Sequence, residues 1–150
     1  MKVQSTLLSL IALIVGCLAG TTPEGLEYLA QNRLKPGVIE TSSGLQYTVI
    51  EEGNKLGASP AKFTKCLVDY EGHTIDGTTF DSSYERGEPI TFAPNQVIAG
   101  WTEALMMMKE GSKWEVTLPS EIAYGDQSVG DVITPGSVLI FTMELHKIGV

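Results

Sequence analysis

The sequence is poor in the residues that bind metals or form covalent cross-links. Its 150 residues include two cysteines, Cys17 and Cys66, and two histidines, His73 and His146. Because Cys17 lies in or beside an apolar leader, the remaining domain has one thiol and no internal disulfide. Two distant histidines without a Cys-x-x-Cys pair give poor support for a zinc site. We therefore predict that the chain holds no metal.

Basic residues are also scarce. Ten Lys and Arg stand against 18 Asp and Glu, which gives a formal net charge of −8. Nucleic-acid binding depends on clustered Lys and Arg that neutralise phosphates, so this balance argues against a nucleic-acid partner. The sequence also lacks a phosphate-binding glycine loop and a dinucleotide fingerprint. The functions that remain are a reaction that needs no cofactor and simple binding.

The first 20 residues differ in composition from the rest. Lys2 precedes an apolar run from Leu7 to Ala19 that only Ser9 and Gly16 interrupt. This profile is typical of a signal peptide, and the run is shorter than the roughly 20 residues that a membrane-spanning helix needs. We predict that residues 1–20 are a leader, that the protein is exported, and that it has no transmembrane helix.

The fate of this leader has two alternatives. Leu-Ile-Val-Gly-Cys at positions 13–17 resembles a bacterial lipobox, which would place a lipid anchor on Cys17. Cleavage after small residues between Cys17 and Gly20 is the alternative. The periplasm, a membrane-anchored position at the cell surface, and a secretory or organelle lumen all stay open as the destination.

The remaining chain fits a single domain, because one core of ordinary size uses most of 150 residues. Apolar residues at helical spacing from Thr21 to Leu34 predict a short N-terminal helix or arm within residues 21–40. Residues 41–150 form the main domain, an α+β fold in which an antiparallel β-sheet wraps around one short α-helix. The predicted helix is Val97–Met108, and the predicted strands are Leu45–Val49, Phe63–Tyr70, Thr79–Asp81, Trp114–Leu118 and Val138–Leu145.

A set of sequence blocks resembles FKBP-type peptidyl-prolyl cis-trans isomerases. The blocks occur in the family's order with fitting gaps and cover roughly residues 41–150. Residues 29–32 and 41–47 are similar to the exported, Mip-like branch, whose long dimerising helix is absent here, so we expect a monomer. The blocks are Val68 to Gly72, Asp76 to Ser83, Val97 to Leu105, Ile122 to Gly125 and Leu139 to Leu145.

The resemblance implies an FKBP-like fold and a cofactor-free isomerase that accelerates rotation about X–Pro bonds in proline-containing protein clients. It also implies the macrolides tacrolimus and rapamycin as candidate ligands. The alternative is an FKBP-fold chaperone or binding module with little turnover. Retention of the family's pocket residues Asp81, Trp101, Tyr124 and Phe141 favours the enzyme.

The same resemblance implies the roles of individual residues. Trp101 is the floor under the proline ring, and Arg86 holds Asp81 in place. The Tyr124 hydroxyl and the Ile98 amide are donors to the substrate. The implied catalytic residues are Asp81, Tyr124, Trp101 and Phe141, and the implied substrate-binding residues are Tyr70, Phe80, Arg86, Phe92, Val97, Ile98, Val132 and Ile133.

Overall fold

The computed structural model describes residues 20–150. Residues 1–19, which include Cys17 and all but the last residue of the predicted leader, lie outside the described residues, so the predictions about the leader stay predictions. The helices are α1 (Pro23–Arg33), α2 (Ser83–Arg86) and α3 (Ala99–Leu105), with 3-10 turns at Pro94–Gln96 and Ser120–Ile122; the strands are β1 (Ile39–Glu40), β2 (Gln46–Glu51), β3 (Cys66–Thr74), β4 (Thr79–Ser82), β5 (Ile90–Phe92), β6 (Lys113–Leu118) and β7 (Leu139–Ile148).

The strands form one antiparallel sheet, which confirms the predicted fold class. Their order is β1-β2-β6-β7-β3-β4, and β5 pairs with the first part of β3. Residues alternate between buried and partly exposed along β3 and β7, so one face of the sheet carries the core. Helix α3 packs on that face through Trp101, Ala104 and Leu105, beside buried Val68 and Val116.

The N-terminal helix packs on the opposite face of the sheet. The Thr22 hydroxyl caps α1 by accepting from the Gly25 amide at 3.0 Å. Leu29 forms a small cluster with Val138 and Ile140. Other predicted apolar positions point outward, since Leu26 and Leu34 are exposed. No helix within residues 20–150 is long and apolar enough to cross a membrane.

Some predicted element boundaries were wrong. Phe63 is 74% exposed and precedes β3, because residues 61–64 form a turn that a bond from the Thr64 amide to the Ala61 carbonyl closes at 3.1 Å. The predicted helix 97–108 spans only Ala99–Leu105, since Ile98 is extended and serves as its N-cap. Strand β7 continues to Ile148, three residues beyond its predicted end.

A short helix that the sequence analysis did not predict lies between β4 and β5. Helix α2 begins after Ser82, whose hydroxyl accepts from the Glu85 amide at 3.2 Å. It ends at Gly87, which has φ +82, a left-handed conformation that glycine adopts without a steric penalty. Arg86, in the last turn, is thereby brought back toward β4.

Candidate active site

A cleft of about 510 Å³ opens on the core side of the sheet, above α3. Its walls come from β3, β4, β5 and β7, from the segment before α3 and from the loop after β6. The structure therefore brings every residue that we predicted to be catalytic into one cavity. The residues that line it are Tyr70, Phe80, Asp81, Phe92, Gln96, Val97, Ile98, Trp101, Tyr124 and Phe141.

Trp101 forms the floor of this cleft and is only 4% exposed. Tyr70 and Phe141 pack against its indole nearly at right angles, with ring centroids 4.9 and 5.3 Å away. Phe92 does the same at 5.7 Å. Edge-to-face packing fixes the orientation of each ring, so the floor and walls are apolar and rigid before a ligand arrives.

A polar group stands at one edge of the apolar cleft. The Tyr70 hydroxyl donates to Asp81 Oδ2 at 2.5 Å, and Arg86 forms an ion pair with Asp81 Oδ1. Arg86 Nη2 also donates to the Tyr70 hydroxyl oxygen at 3.0 Å. The contact expected between Arg86 and Asp81 is therefore present, although Arg86 itself does not line the cleft.

The ionisation of this edge follows from its contacts. Burial, and then the hydrogen bond to Asp81, raise the pKa of the Tyr70 hydroxyl, so it stays a proton donor at neutral pH. The hydrogen bond to Tyr70, and then that to Asp81, raise the pKa of Arg86. The guanidinium therefore stays charged beside the carboxylate.

Gly72 leaves room for the rings of Phe80 and Phe141 to pack closely over strand β3. It lies opposite Asp81 on β4 and opposite Phe141 on β7. A β-carbon at this position would be 2.6 Å from Phe80 Cζ and 2.7 Å from Phe141 Cε1. A glycine in the interior of a strand often marks such a close approach, and this was a signal in the sequence to which we had assigned no role.

The two predicted donors both belong to residues that line the cleft. Tyr124 lines the cleft, so its hydroxyl is within reach of a ligand there. The Ile98 amide, at the N-cap of α3, donates to no backbone carbonyl of residues 20–150. Both groups can therefore donate to a ligand that enters the cleft.

Val132 and Ile133 lie outside the main cleft. They line a smaller recess of about 220 Å³ that shares Phe80, Asp81 and Tyr124 with it. Gln96, which the sequence analysis missed, lines the main cleft, and its side-chain oxygen accepts from the Ala93 amide at 2.9 Å. No motif in the sequence singled out Gln96.

Two family models match the chain. The model described as FKBP-type peptidyl-prolyl cis-trans isomerase matches residues 57–146. The model described as the domain amino terminal to FKBP-type peptidyl-prolyl isomerase matches residues 19–49. Together they cover both the cleft and the N-terminal helix that packs behind it.

Curated relatives are similar over most of the chain. The FKBP-type 22 kDa peptidyl-prolyl cis-trans isomerase of Escherichia coli K12 is 52% identical over 125 residues, 83% of this chain and 60% of the relative. Outer membrane protein MIP of Legionella longbeachae is 48% identical over 83% of this chain and 53% of its own length. The chain thus spans little more than half the length of these relatives.

Solved structures agree with the sequence matches. FkpA from Escherichia coli superposes on this chain with a TM-score of 0.79 at 36% sequence identity. The match covers 97% of this chain and 64% of the FkpA chain. A peptidyl-prolyl cis-trans isomerase from Pseudomonas syringae pv. tomato DC3000 has a TM-score of 0.77 at 35% identity, over 85% of this chain and 92% of its own. The chain belongs to the family of FKBP-type peptidyl-prolyl cis-trans isomerases.

Proposed function

We propose that the protein accelerates cis-trans isomerisation of X–Pro bonds in protein clients and so acts as a folding catalyst. The observation that carries this proposal is the aromatic cleft over Trp101 with the Asp81 carboxylate fixed at its edge. The cleft is large enough for a proline ring with flanking backbone, and its rigid apolar walls suit that ring.

The reaction needs no covalent step. An X–Pro bond rotates slowly because the amide resonance must be lost, which gives a barrier of about 18–20 kcal/mol. A twisted amide has less charge separation than a planar one. An apolar cleft therefore disfavours the planar ground state relative to the twisted transition state, and only this difference accelerates the reaction.

Each side chain has a role in this proposal. Trp101 supports the proline ring, while Tyr70, Phe80 and Phe141 exclude water from the rotating bond. The Tyr124 hydroxyl and the Ile98 amide donate to carbonyl oxygens of the substrate and hold its backbone on both sides of the bond. Asp81, which Tyr70 and Arg86 orient, is the one carboxylate among residues 20–150 that lines the cleft.

Isomerisation of a short peptide that contains Leu-Pro-Phe, followed by coupled proteolysis, tests the proposal. We expect the full chain, purified in a mild detergent, to accelerate the reaction, and we expect tacrolimus to inhibit it. Asp81→Ala and Trp101→Leu should each lower kcat/KM at least about tenfold, a loss of roughly 1.4 kcal/mol.

Asp126→Ala, at an exposed acidic residue of the loop after β6, is the matched control and should retain full activity. Circular dichroism would verify that each variant is folded. If the folded wild type shows no turnover, the enzyme proposal fails and an FKBP-fold binding module is left.

We further propose that the protein is exported and that residues 1–20 are its leader. The apolar sequence of that segment supports this, and one relative is named an outer membrane protein. Mass spectrometry of the mature N terminus should find either a lipid on Cys17 or a cleaved, unmodified chain. Light scattering of the same material tests the expected monomer.

A further inference from the structure

Three potential metal ligands meet on the outer face of the sheet, on the other side of β3 from the cleft. Asp69 on β3 and Glu144 on β7 lie directly opposite each other. His146 follows on β7, and its Nε2 lies 2.8 Å from Asp69 Oδ2 and 3.9 Å from Glu144 Oε1. One ligand atom from each residue falls within 4.8 Å of the other two.

The charge at this position is not balanced by basic side chains. Two carboxylates that face each other across a strand pair repel and are destabilising. Neither Asp69 nor Glu144 forms an ion pair with a Lys or Arg of residues 20–150. Lys113 pairs with Glu144 in the strand register, yet their charged groups are not within ion-pair distance. His146 offers a positive charge only when it is protonated.

The carboxylates of Asp69, Glu71 and Glu144 all act on the nearby Tyr84 hydroxyl. Burial, and then the charge of Glu144, raise the pKa of the Tyr84 hydroxyl far above its ordinary value, and Asp69 and Glu71 add to the effect. Burial raises the pKa of Asp69, but the hydrogen bonds from Ser83 and His146 outweigh it, so the net pKa is lowered. Asp69 is therefore ionised at neutral pH.

Groups outside the three ligands hold them in place. The Ser83 hydroxyl, which is fully buried, donates to Asp69 Oδ1 at 2.6 Å and accepts from the Tyr70 amide at 2.7 Å. The Tyr84 hydroxyl donates to Glu144 Oε1 at 3.1 Å. Each carboxylate keeps its second oxygen for another partner. Supporting hydrogen bonds of this kind orient the ligands in protein metal sites.

We propose that Asp69, Glu144 and His146 form a binding site for a divalent transition-metal ion of the zinc type. Imidazole nitrogen and carboxylate oxygen are ligands that Zn²⁺ takes at about 2.0–2.2 Å, in tetrahedral geometry. Such ligand atoms lie roughly 3.4 Å apart by that geometry, so side-chain movements of about 1 Å complete the site from the observed arrangement. The fourth position is open to water.

The proton balance of binding follows from the His146–Asp69 contact. A neutral imidazole that donates from Nε2 must move its proton to Nδ1 before Nε2 can bind the ion, and an imidazolium must release one proton. The side chains of Asp69, Glu144 and His146 are 16%, 25% and 35% exposed, so solvent ions can reach them. The site is independent of the proposed isomerase activity.

Calorimetric titration of Zn²⁺ into the full chain, in metal-free buffer near neutral pH, tests the proposal. We expect one equivalent to bind, and we expect Asp69→Asn and His146→Gln each to weaken binding by about 10–100-fold. His73→Gln is the matched control, because His73 is the other histidine and its Nδ1 contacts the Thr74 carbonyl at 2.9 Å. This variant should bind Zn²⁺ like the wild type.

NMR of the histidine side chains decides the matter even if a variant fails to fold. Zn²⁺ should shift the imidazole nitrogen signals of His146 in the wild type and leave those of His73 unchanged. The proposal is overturned if no equivalent binds, if His146 does not respond, or if His146→Gln binds Zn²⁺ as tightly as the wild type does.

Discussion

The Tyr70 hydroxyl donates a 2.5 Å hydrogen bond to Asp81, and this bond joins an aromatic wall of the cleft to its polar edge. Tyr70 belongs to the central strand β3, where its ring packs on Trp101. Asp81 belongs to β4, which continues directly into α2 and Arg86. The carboxylate is thus oriented by groups on two sides before a substrate binds, which is the preorganisation that electrostatic catalysis requires.

Tyr70→Phe should reduce activity without disturbing the fold. The substitution keeps the ring that packs on Trp101 and removes only the donor to Asp81. We expect kcat/KM to fall about tenfold, which corresponds to roughly 1.4 kcal/mol and lies near the value of a hydrogen bond to a charged group. Peptide isomerisation and urea unfolding measure the two effects separately.

Tyr28→Phe is the control for this change. Tyr28 lies on α1, on the opposite face of the sheet, and packs beside Leu29. Its substitution should leave kcat/KM unchanged. If Tyr70→Phe is as active as Tyr28→Phe, the orientation of Asp81 does not depend on the Tyr70 hydroxyl.

Gly72→Ala should damage both stability and substrate binding. Its new methyl group would clash with the rings of Phe80 and Phe141, and the strand cannot move away because β3 is paired on both sides there. We expect a loss of about 1–3 kcal/mol in the free energy of unfolding, together with a higher KM as the rings shift into the cleft.

Gly57→Ala provides the comparison. Its β-carbon would approach mainly the side chain of Asn54, a surface residue that can rotate aside. We expect a change of less than about 0.5 kcal/mol. Equal stability losses for both variants would show that the ring contacts are not what requires glycine at position 72.

The cleft residues could be predicted because they stand within the short sequence blocks that resemble FKBP-type peptidyl-prolyl cis-trans isomerases. Ile98 and Trp101 are three positions apart in the sequence, and Phe80 and Asp81 are adjacent. The period-two pattern of Trp114–Leu118 likewise predicted β6 with nearly correct ends. A local pattern was sufficient for β6 because its alternation lies within one strand.

Other features depend on the register between distant strands, which local patterns do not contain. Asp69 and His146 are 77 residues apart, and a register shift between Leu67 and Val68 helps to set their alignment. From the sequence, the two distant histidines gave poor support for a zinc site, so no role was predicted for His146. Phe63 shows the opposite failure, since its strand propensity was overridden by the turn in which it lies.

Asn32→Ala should destabilise the protein without affecting catalysis. Asn32 Nδ2 donates to Gln46 Oε1 at 2.8 Å, and Gln46 is fully buried between α1 and the sheet. The substitution leaves that oxygen without its donor, which costs about 1–3 kcal/mol. The free energy of unfolding in urea should fall by this amount, while kcat/KM stays unchanged because the cleft lies on the other face.

Gln31→Ala is the control on the same helix. Gln31 is exposed and its side chain donates to Glu27 at the surface, so the free energy of unfolding should change by less than about 0.5 kcal/mol. A loss of activity in Asn32→Ala, measured on folded protein, would instead mean that α1 influences the cleft through the sheet.

Glu121→Gln should reveal a pH-dependent anchor of the N-terminal segment. Glu121 Oε1 accepts from the Thr21 amide at 3.2 Å, and Oε2 accepts from the Thr21 hydroxyl at 2.8 Å. Burial raises the pKa of Glu121, but its own amide and the Thr21 groups outweigh that effect and lower the pKa below the ordinary 4.5.

A carboxyl group whose pKa is lowered by folding stabilises the protein above its unfolded pKa, and this stabilisation disappears as the pH falls through the folded pKa. The free energy of unfolding of the wild type should therefore exceed that of Glu121→Gln by about 1 kcal/mol at pH 7. The value is modest because Glu121 is exposed. The difference should shrink steadily below pH 4.5.

Urea unfolding at pH 7, 5 and 3 measures this difference, with the exposed Glu88→Gln as the control. An equal difference at pH 7 and pH 3 would show that the amide substitution, and not the lost charge, weakens the anchor.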